Sequence, residues 1–116
     1  MVRALFVSVC LSVLAAAGCH VTTSTSTNPA QDDCNFYVEH ELCPTAMYCG
    51  ATYLSLSDCI YHFESSGSTV LDCDTVTAEY SGLSVCENQT NYSSCGYVVD
   101  AAGFVTLPPA CYGIFN

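Results

Sequence analysis

The sequence has almost no positive charge. Among its 116 residues it contains one Lys or Arg, which is Arg3, against eleven Asp and Glu, and its formal net charge is −10. Nucleic acids and anionic lipid headgroups attract proteins through cationic side chains, so neither is expected as an electrostatic partner. Beyond Arg3 the chain has no Lys or Arg that could form a salt bridge with a carboxylate. Stability must therefore come from interactions other than Lys or Arg ion pairs.

The sequence also lacks the motifs of common catalytic and metal sites. It has no Gly-x-Ser-x-Gly nucleophile elbow, no Cys-x2-Cys pair and no EF-hand loop. Two short acidic clusters, residues 39–41 and 72–74, are expected to be solvated surface. We therefore predict no catalytic residue, no metal site and no cofactor, and a protein that is not an enzyme.

Cysteine is abundant, with ten residues in the chain. This density is typical of exported domains that are held together by disulfides. Cys10 lies in the N-terminal apolar segment, and Cys19 stands apart from the cysteines that follow it. The remaining eight can form four disulfides, in on the order of a hundred different pairings, among which the sequence does not choose. The predicted disulfide residues are Cys34, Cys43, Cys49, Cys59, Cys73, Cys86, Cys95 and Cys111.

Residues 1–18 have the features of a signal peptide. Arg3 gives a basic start, and residues 4–17 form an apolar run that is shorter than the roughly 20 residues of a membrane-spanning helix. The small residues 15–18 follow, as cleavage requires. The alternative, a retained anchor helix, is disfavoured by the length of the run. We expect the mature chain to be exported and to carry no Lys or Arg.

Cys19 is the predicted lipidation site. Bacterial lipoproteins are cleaved immediately before a cysteine that follows two small residues, and here Ala17 and Gly18 precede Cys19. The alternative cleavage, after Ala17, would leave nine cysteines in the exported chain and one of them unpaired. Residues 19–31, which include a run of Thr and Ser without charge, are predicted to be a flexible tether that carries the lipid. Residues 32–116 are predicted to form the disulfide-linked domain.

The sequence resembles small cysteine-rich lipoproteins of Gram-negative bacteria. The resemblance rests on "LAAAGC" at residues 14–19, the Thr/Ser tether, the cysteine-punctuated body and "LPPACYGIF" at residues 107–115. It implies a protein anchored in the outer membrane, because residue 20 is His rather than the Asp that indicates retention in the inner membrane. That group is largely uncharacterised, so the resemblance implies a location and no specific activity.

The expected role is contact with a partner. The first hypothesis is a lipid-anchored envelope protein that presents a rigid acidic module to an unknown protein or surface polymer, with membrane contact through the lipid and none with nucleic acid. A second is a soluble, extracellular cysteine-rich glycoprotein, an effector or inhibitor. In a eukaryotic host its glycosylation sites would be Asn88 and Asn91, the first residues of two Asn-x-Ser/Thr sequons. A third is a carrier of a small apolar ligand.

The predicted fold class is small, disulfide-rich and mainly α, with a short C-terminal β-hairpin; an α+β fold is the alternative. Helices are predicted at 55–67, where Ser55 is the cap, at 84–96, where Ser84 is the cap, and at 33–42, before Pro44. Two β-prone runs within 97–107 flank a turn and predict the hairpin, and the alternating residues 75–81 are either strand or helix.

Two physical expectations accompany these assignments. The eight tyrosines are expected to lie mainly in a partly exposed core, because small domains bury even core residues incompletely. Carboxylates without cationic partners are expected to have folded pKa values raised by mutual repulsion. The protein should then be more stable near pH 4–5 than near pH 8, with a difference that salt reduces.

Overall fold

The computed structural model describes residues 28–116. The predicted signal peptide and lipidation site, residues 1–18 and Cys19, lie outside the described residues, as does the tether up to residue 27. About half of the described part is helical, and it contains isolated β-bridges but no strand. None of its helices is long and apolar enough to cross a membrane.

The first helical segment runs without a break through three consecutive elements. Helix α1 spans Pro29–Tyr37, a π-helical turn spans Val38–Leu42 and helix α2 spans Cys43–Tyr48. Asn28 caps the start, since its side-chain oxygen accepts a hydrogen bond from the backbone N–H of Gln31 at 3.2 Å. The buried face of the segment comprises Cys34, Tyr37, Val38, Leu42, Cys43, Thr45 and Ala46.

The helix passes through Pro44, so the prediction that it ends before this residue is wrong. Inside an α-helix, proline lacks an N–H and its ring clashes with the carbonyl four residues earlier. The π-helical turn ends at Leu42, two residues before Pro44, and the N–H of Cys43 bonds there to the carbonyl of Val38, five residues back. This wider turn accommodates the proline, which then occupies the start of α2.

Helix α3 spans Leu56–Glu64 and confirms the predicted helix within 55–67. The predicted cap is also present, because the Ser55 hydroxyl accepts a hydrogen bond from the backbone N–H of Asp58 at 3.2 Å. The amphipathic pattern places Cys59 and Phe63 in the core, where both are fully buried.

Helix α4 spans Leu83–Gln89 and differs from the helix predicted at 84–96. It begins one residue earlier, because Gly82 adopts a φ of +110° as its N-cap, a conformation that glycine tolerates best. Ser84 therefore lies inside the first turn and makes no capping hydrogen bond. The helix ends at Gln89, and Gly96 lies in a separate 3-10 turn, Cys95–Tyr97.

The C-terminal β-hairpin is not formed, although the predicted chain reversal is present. The Asp100 carboxylate accepts hydrogen bonds from the backbone N–H groups of Ala102 and Phe104, at 2.9 and 3.0 Å, and so holds the turn. The flanking residues contribute a single antiparallel bridge, Val99 to Val105, rather than two strands. A two-stranded hairpin is marginal by itself, and the residues before this one are committed to the 3-10 turn at 95–97.

Residues 75–81 form neither a strand nor a helix. Thr75 ends a 3-10 turn, Cys73–Thr75, and Glu79 forms one isolated antiparallel bridge with Phe115. The described residues therefore show the mainly helical architecture and not the α+β alternative.

Four disulfides join these elements, and the predicted disulfide-rich domain is confirmed. Three of them start from the first helical segment or its C-cap, and the fourth joins α4 to the 3-10 turn Pro109–Cys111. The first segment is thus the central element of the fold. The pairs are Cys34–Cys73, Cys43–Cys59, Cys49–Cys95 and Cys86–Cys111.

Gly103 joins the reversal at 100–103 to the loop that precedes α3. Its φ is +90°, and a Cβ at this position would lie 2.6 Å from Cγ2 of Thr52. The Gly103 carbonyl also accepts a hydrogen bond from the backbone N–H of Thr52 at 3.0 Å. A side chain at this position would therefore strain the backbone and also push away the neighbouring loop.

We expect Gly103→Ala to lower the free energy of unfolding more than Gly67→Ala. Gly67 also has a positive φ, +75°, but a Cβ there would meet nothing within 4 Å. The control thus carries the conformational cost, about 1–2 kcal/mol, without the clash. Urea denaturation should show an additional loss of about 1 kcal/mol or more for Gly103→Ala. Equal losses would show that the contact with Thr52 does not hold the two loops together.

Candidate functional site

An open groove of about 450 Å³ lies between the first helical segment and the region around α4. We call it the acidic groove. One wall comes from the π-helical turn and α2, and the other from α4 and the three residues that follow it. Every lining residue carries a polar group in its side chain; the residues are Glu41, Thr45, Ser84, Glu87, Asn88, Thr90, Asn91 and Tyr92.

A buried hydrogen-bond chain connects the two walls. The Thr90 hydroxyl donates to the carbonyl of Cys86 at 2.9 Å, so it can accept from the hydroxyl of Tyr37, which lies 2.8 Å away. Tyr37 is 1% exposed, and burial raises the pKa of its phenol, which keeps the hydroxyl protonated as a donor. The Cys86–Cys111 disulfide lies beside this chain, with Sγ of Cys111 3.4 Å from the Tyr37 hydroxyl. The floor of the groove is therefore held by the core itself.

Two carboxylates, Glu41 and Glu87, line the acidic groove from opposite walls. Burial raises the pKa of Glu41, and the negative charge of Glu87 raises it further, while the nearby His40 lowers it. The two carboxylates thus interact across the groove, and the described residues contain no Lys or Arg to neutralise them. A cation placed between them would relieve this repulsion.

Thr45 places a hydroxyl in the same groove. The residue is 3% exposed and lines the groove, and its hydroxyl has no hydrogen-bond partner among residues 28–116. The buried side-chain N and O atoms without a hydrogen-bond partner in this part of the chain are Asn35 Oδ1 and Glu64 Oε1, so the unpaired Thr45 hydroxyl is one that solvent reaches from the groove. Thr45 therefore offers a donor and an acceptor to a molecule that enters the groove.

Tyrosine rings form one rim of the acidic groove. Tyr92 lines it, and Tyr48 packs edge-on against Tyr92 with ring centroids 4.9 Å apart. Both rings are exposed, Tyr48 by 71% and Tyr92 by 56%. An aromatic face beside carboxylates is a favourable environment for an organic cation.

The expectation that the tyrosines lie mainly in the core is wrong. Six of the eight are exposed, and only Tyr37 is fully buried. The disulfides explain the difference, because six of the seventeen buried apolar residues are cysteines, which leave less need for large aromatic side chains in the core. The exposed tyrosines are Tyr48, Tyr61, Tyr80, Tyr92, Tyr97 and Tyr112.

Comparisons with known proteins do not suggest a function or a site for this chain. No protein-family model, curated protein or solved structure matches this chain. The assignment of a site therefore rests on the geometry of the groove and on the chemistry of its lining.

The structure places the residues predicted from sequence in different parts of the molecule. The eight cysteines from Cys34 to Cys111 form the four disulfides, and Cys19 lies outside the described residues. Both sequon residues, Asn88 and Asn91, line the acidic groove. The Asn91 side chain is engaged locally, since its nitrogen donates to the Asn88 carbonyl at 2.7 Å. Among the described residues, no group of three His, Cys, Asp or Glu side chains could hold a metal ion.

Sequence reasoning missed the acidic groove. It placed Glu41 in a solvated acidic cluster and Glu87 inside the helix predicted at 84–96. The two residues lie 46 positions apart, and only the packing of α4 against the first helical segment brings them together. The excess of carboxylates over cations was the one available signal, because it made repulsion between some pair of them inevitable.

Proposed function

We propose that this protein is a lipid-anchored, exported interaction module of the bacterial envelope and not an enzyme. Its four disulfides indicate an oxidising, exported environment. Its role is to present a rigid acidic surface to another protein or to a surface polymer.

The acidic groove is the observation that carries this proposal. It is an open surface feature whose lining supplies two carboxylates, a free hydroxyl and an aromatic ring, which are groups that recognise a partner. The disulfides fix its walls, so little conformational entropy is lost on binding. A rigid recognition surface of this kind suits a contact role better than the apolar carrier role.

Cysteine pairing supports the lipid anchor. All eight body cysteines are paired with one another, which leaves Cys19 without a partner among them. An unpaired thiol is uncommon in an oxidising compartment. A lipid attached to the Cys19 sulfur through a thioether would leave no free thiol at this position. The described residues begin with the cap at Asn28, which follows Cys19 by nine positions in the sequence.

Mass spectrometry of the mature N-terminus tests this proposal. We expect the chain to begin at an acylated Cys19 and to be recovered in the membrane fraction. Cys19→Ala should be found in the soluble fraction, whereas Cys10→Ala, in the segment that is removed, should remain with the membrane. A mature chain that begins at Gly18 with an unmodified Cys19 would exclude the anchor.

A further inference from the structure

We propose that the acidic groove binds a Lys or Arg side chain of a partner protein between Glu41 and Glu87, against the ring of Tyr92. This inference rests on the proposed function as an interaction module and names the chemistry of its partner. It does not depend on the lipid anchor.

The charge distribution favours a cationic ligand. Glu41 and Glu87 line one groove and repel each other, and neither has a Lys or Arg partner in the described part of the chain. An ammonium or guanidinium group between them would exchange this repulsion for two charge-assisted hydrogen bonds. Calcium sites usually combine several carboxylates, whereas this groove has two and no described group of three His, Cys, Asp or Glu side chains could hold a metal ion, so an organic cation is the better match.

Thr45 is the independent observation that indicates a ligand. Its hydroxyl is held in a residue that is 97% buried, lines the groove and has no hydrogen-bond partner within residues 28–116. Thr45 lies one helical turn beyond Glu41 on the same wall, so both side chains face the same bound group. The hydroxyl can accept a third hydrogen bond from an ammonium group, which has three donors.

Tyr92 completes the site on the opposite side. Tyr92 lines the groove, and its ring packs edge-on against Tyr48. A cation near the face of a tyrosine ring gains electrostatic stabilisation, and the methylene groups of a Lys or Arg side chain gain apolar contact. A protein side chain uses both contributions, whereas a small inorganic cation uses neither fully.

The test is an NMR titration of the purified, oxidised protein with a short end-blocked peptide that contains one central lysine. The comparison peptide carries Nε-acetyl-lysine, which keeps the side-chain length and removes the charge. We expect saturable shifts at groove residues with the lysine peptide and none with the acetylated peptide. Glu87→Gln should weaken binding about tenfold or more, because it removes a charge-assisted hydrogen bond.

Two variants distinguish a specific site from diffuse attraction. Asp58→Asn removes the same charge from an exposed position on α3, away from the groove, and should leave the affinity unchanged. Thr45→Val removes only the hydroxyl and should weaken binding about threefold or more, since a charge-assisted hydrogen bond is lost. It should not lower the melting temperature, because that hydroxyl has no partner in the free protein.

Three results would overturn the proposal. Equal weakening by Glu87→Gln and Asp58→Asn would mean that net charge alone attracts the peptide. Unchanged binding by Thr45→Val would remove the hydroxyl from the site. Equal binding of the acetylated peptide would exclude recognition of the cation. None of these results bears on the N-terminal acylation that tests the lipid anchor, so the two proposals fail separately.

Discussion

The double variant Cys34→Ala/Cys73→Ala is expected to lose about 4 kcal/mol of unfolding free energy, from the closure of a loop of this length alone. The bridge joins residues 39 positions apart and connects α1 to the 3-10 turn at 73–75. Both cysteines are fully buried, so the substitutions also leave unfilled volume in the core. Domains have about 5–15 kcal/mol of stability in total, so the loss would unfold a large fraction of the protein on mild heating.

The variant Cys49→Ala/Cys95→Ala is the matched control. Its bridge spans 46 positions, so the loop-closure contributions of the two disulfides to the free energy of unfolding differ by only about 0.1 kcal/mol. Both of its cysteines are partly exposed, so the cost of a core cavity is smaller. Urea denaturation of the two variants should show the larger loss for the Cys34–Cys73 pair. A larger loss for the Cys49–Cys95 pair would contradict the assignment of the core to the contacts around α1.

Stability is expected to fall as pH rises from 4.5 to about 7, because burial raises the pKa of Glu64 from 4.5 to about 7. A hydrogen bond to Glu39 and the charges of Glu39 and Asp74 add to this effect. Oε1 of Glu64 is buried and has no hydrogen-bond donor among the described residues, so ionisation leaves a charge there without a partner. The pKa of Glu79 is also raised, first by burial and then by Asp33.

A raised folded pKa means that the folded state holds the proton more tightly than the unfolded state. The contribution of Glu64 is therefore fully present below pH 4.5, the unfolded value, and is lost as pH rises through the folded value of about 7. Thermal melting in low salt should give a higher melting temperature near pH 4–5 than near pH 8, values that bracket this window. A lower melting temperature in acid would mean that donors to the ionised carboxylates dominate.

Glu64→Gln isolates the contribution of one residue to this profile. The variant should melt near the wild-type temperature in acid and above it near pH 8, since it removes the buried charge and keeps the shape of the side chain. Asp58→Asn, at an exposed position on the same helix, controls for the number of charges. If both variants reduce the pH dependence of the melting temperature to the same degree, that dependence arises from the total charge rather than from the burial of Glu64.

Local patterns in the sequence predicted the local structure where they were strong. The helix after Ser55 was predicted with its cap, because its apolar residues recur at helical spacing and the Ser-x-x-Asp pattern supplies the cap. The number of disulfides followed from counting cysteines once Cys10 and Cys19 were set aside. The direction of the carboxylate pKa shifts also followed from composition, although burial rather than repulsion is their first cause.

The failures arose where a distant contact or an unusual turn decides the outcome. Pro44 predicts a helix end unless a π-helical turn precedes it, and no sequence pattern indicated that turn. The predicted hairpin needed two strands, but the pairing is limited to the single bridge between Val99 and Val105, because the 3-10 turn at 95–97 directly precedes it. The acidic groove required Glu41 and Glu87 to meet across two elements, a tertiary fact that local periodicity does not contain.

The central claim is that all eight body cysteines are cross-linked in one specific pattern. Proteolysis of the unreduced, alkylated protein followed by mass spectrometry measures it directly. We expect no alkylated residue among the eight and the four linked pairs Cys34–Cys73, Cys43–Cys59, Cys49–Cys95 and Cys86–Cys111. A reactive thiol at any of these positions, or a fragment that joins two other cysteines, would contradict this account of the fold and of the groove that it holds.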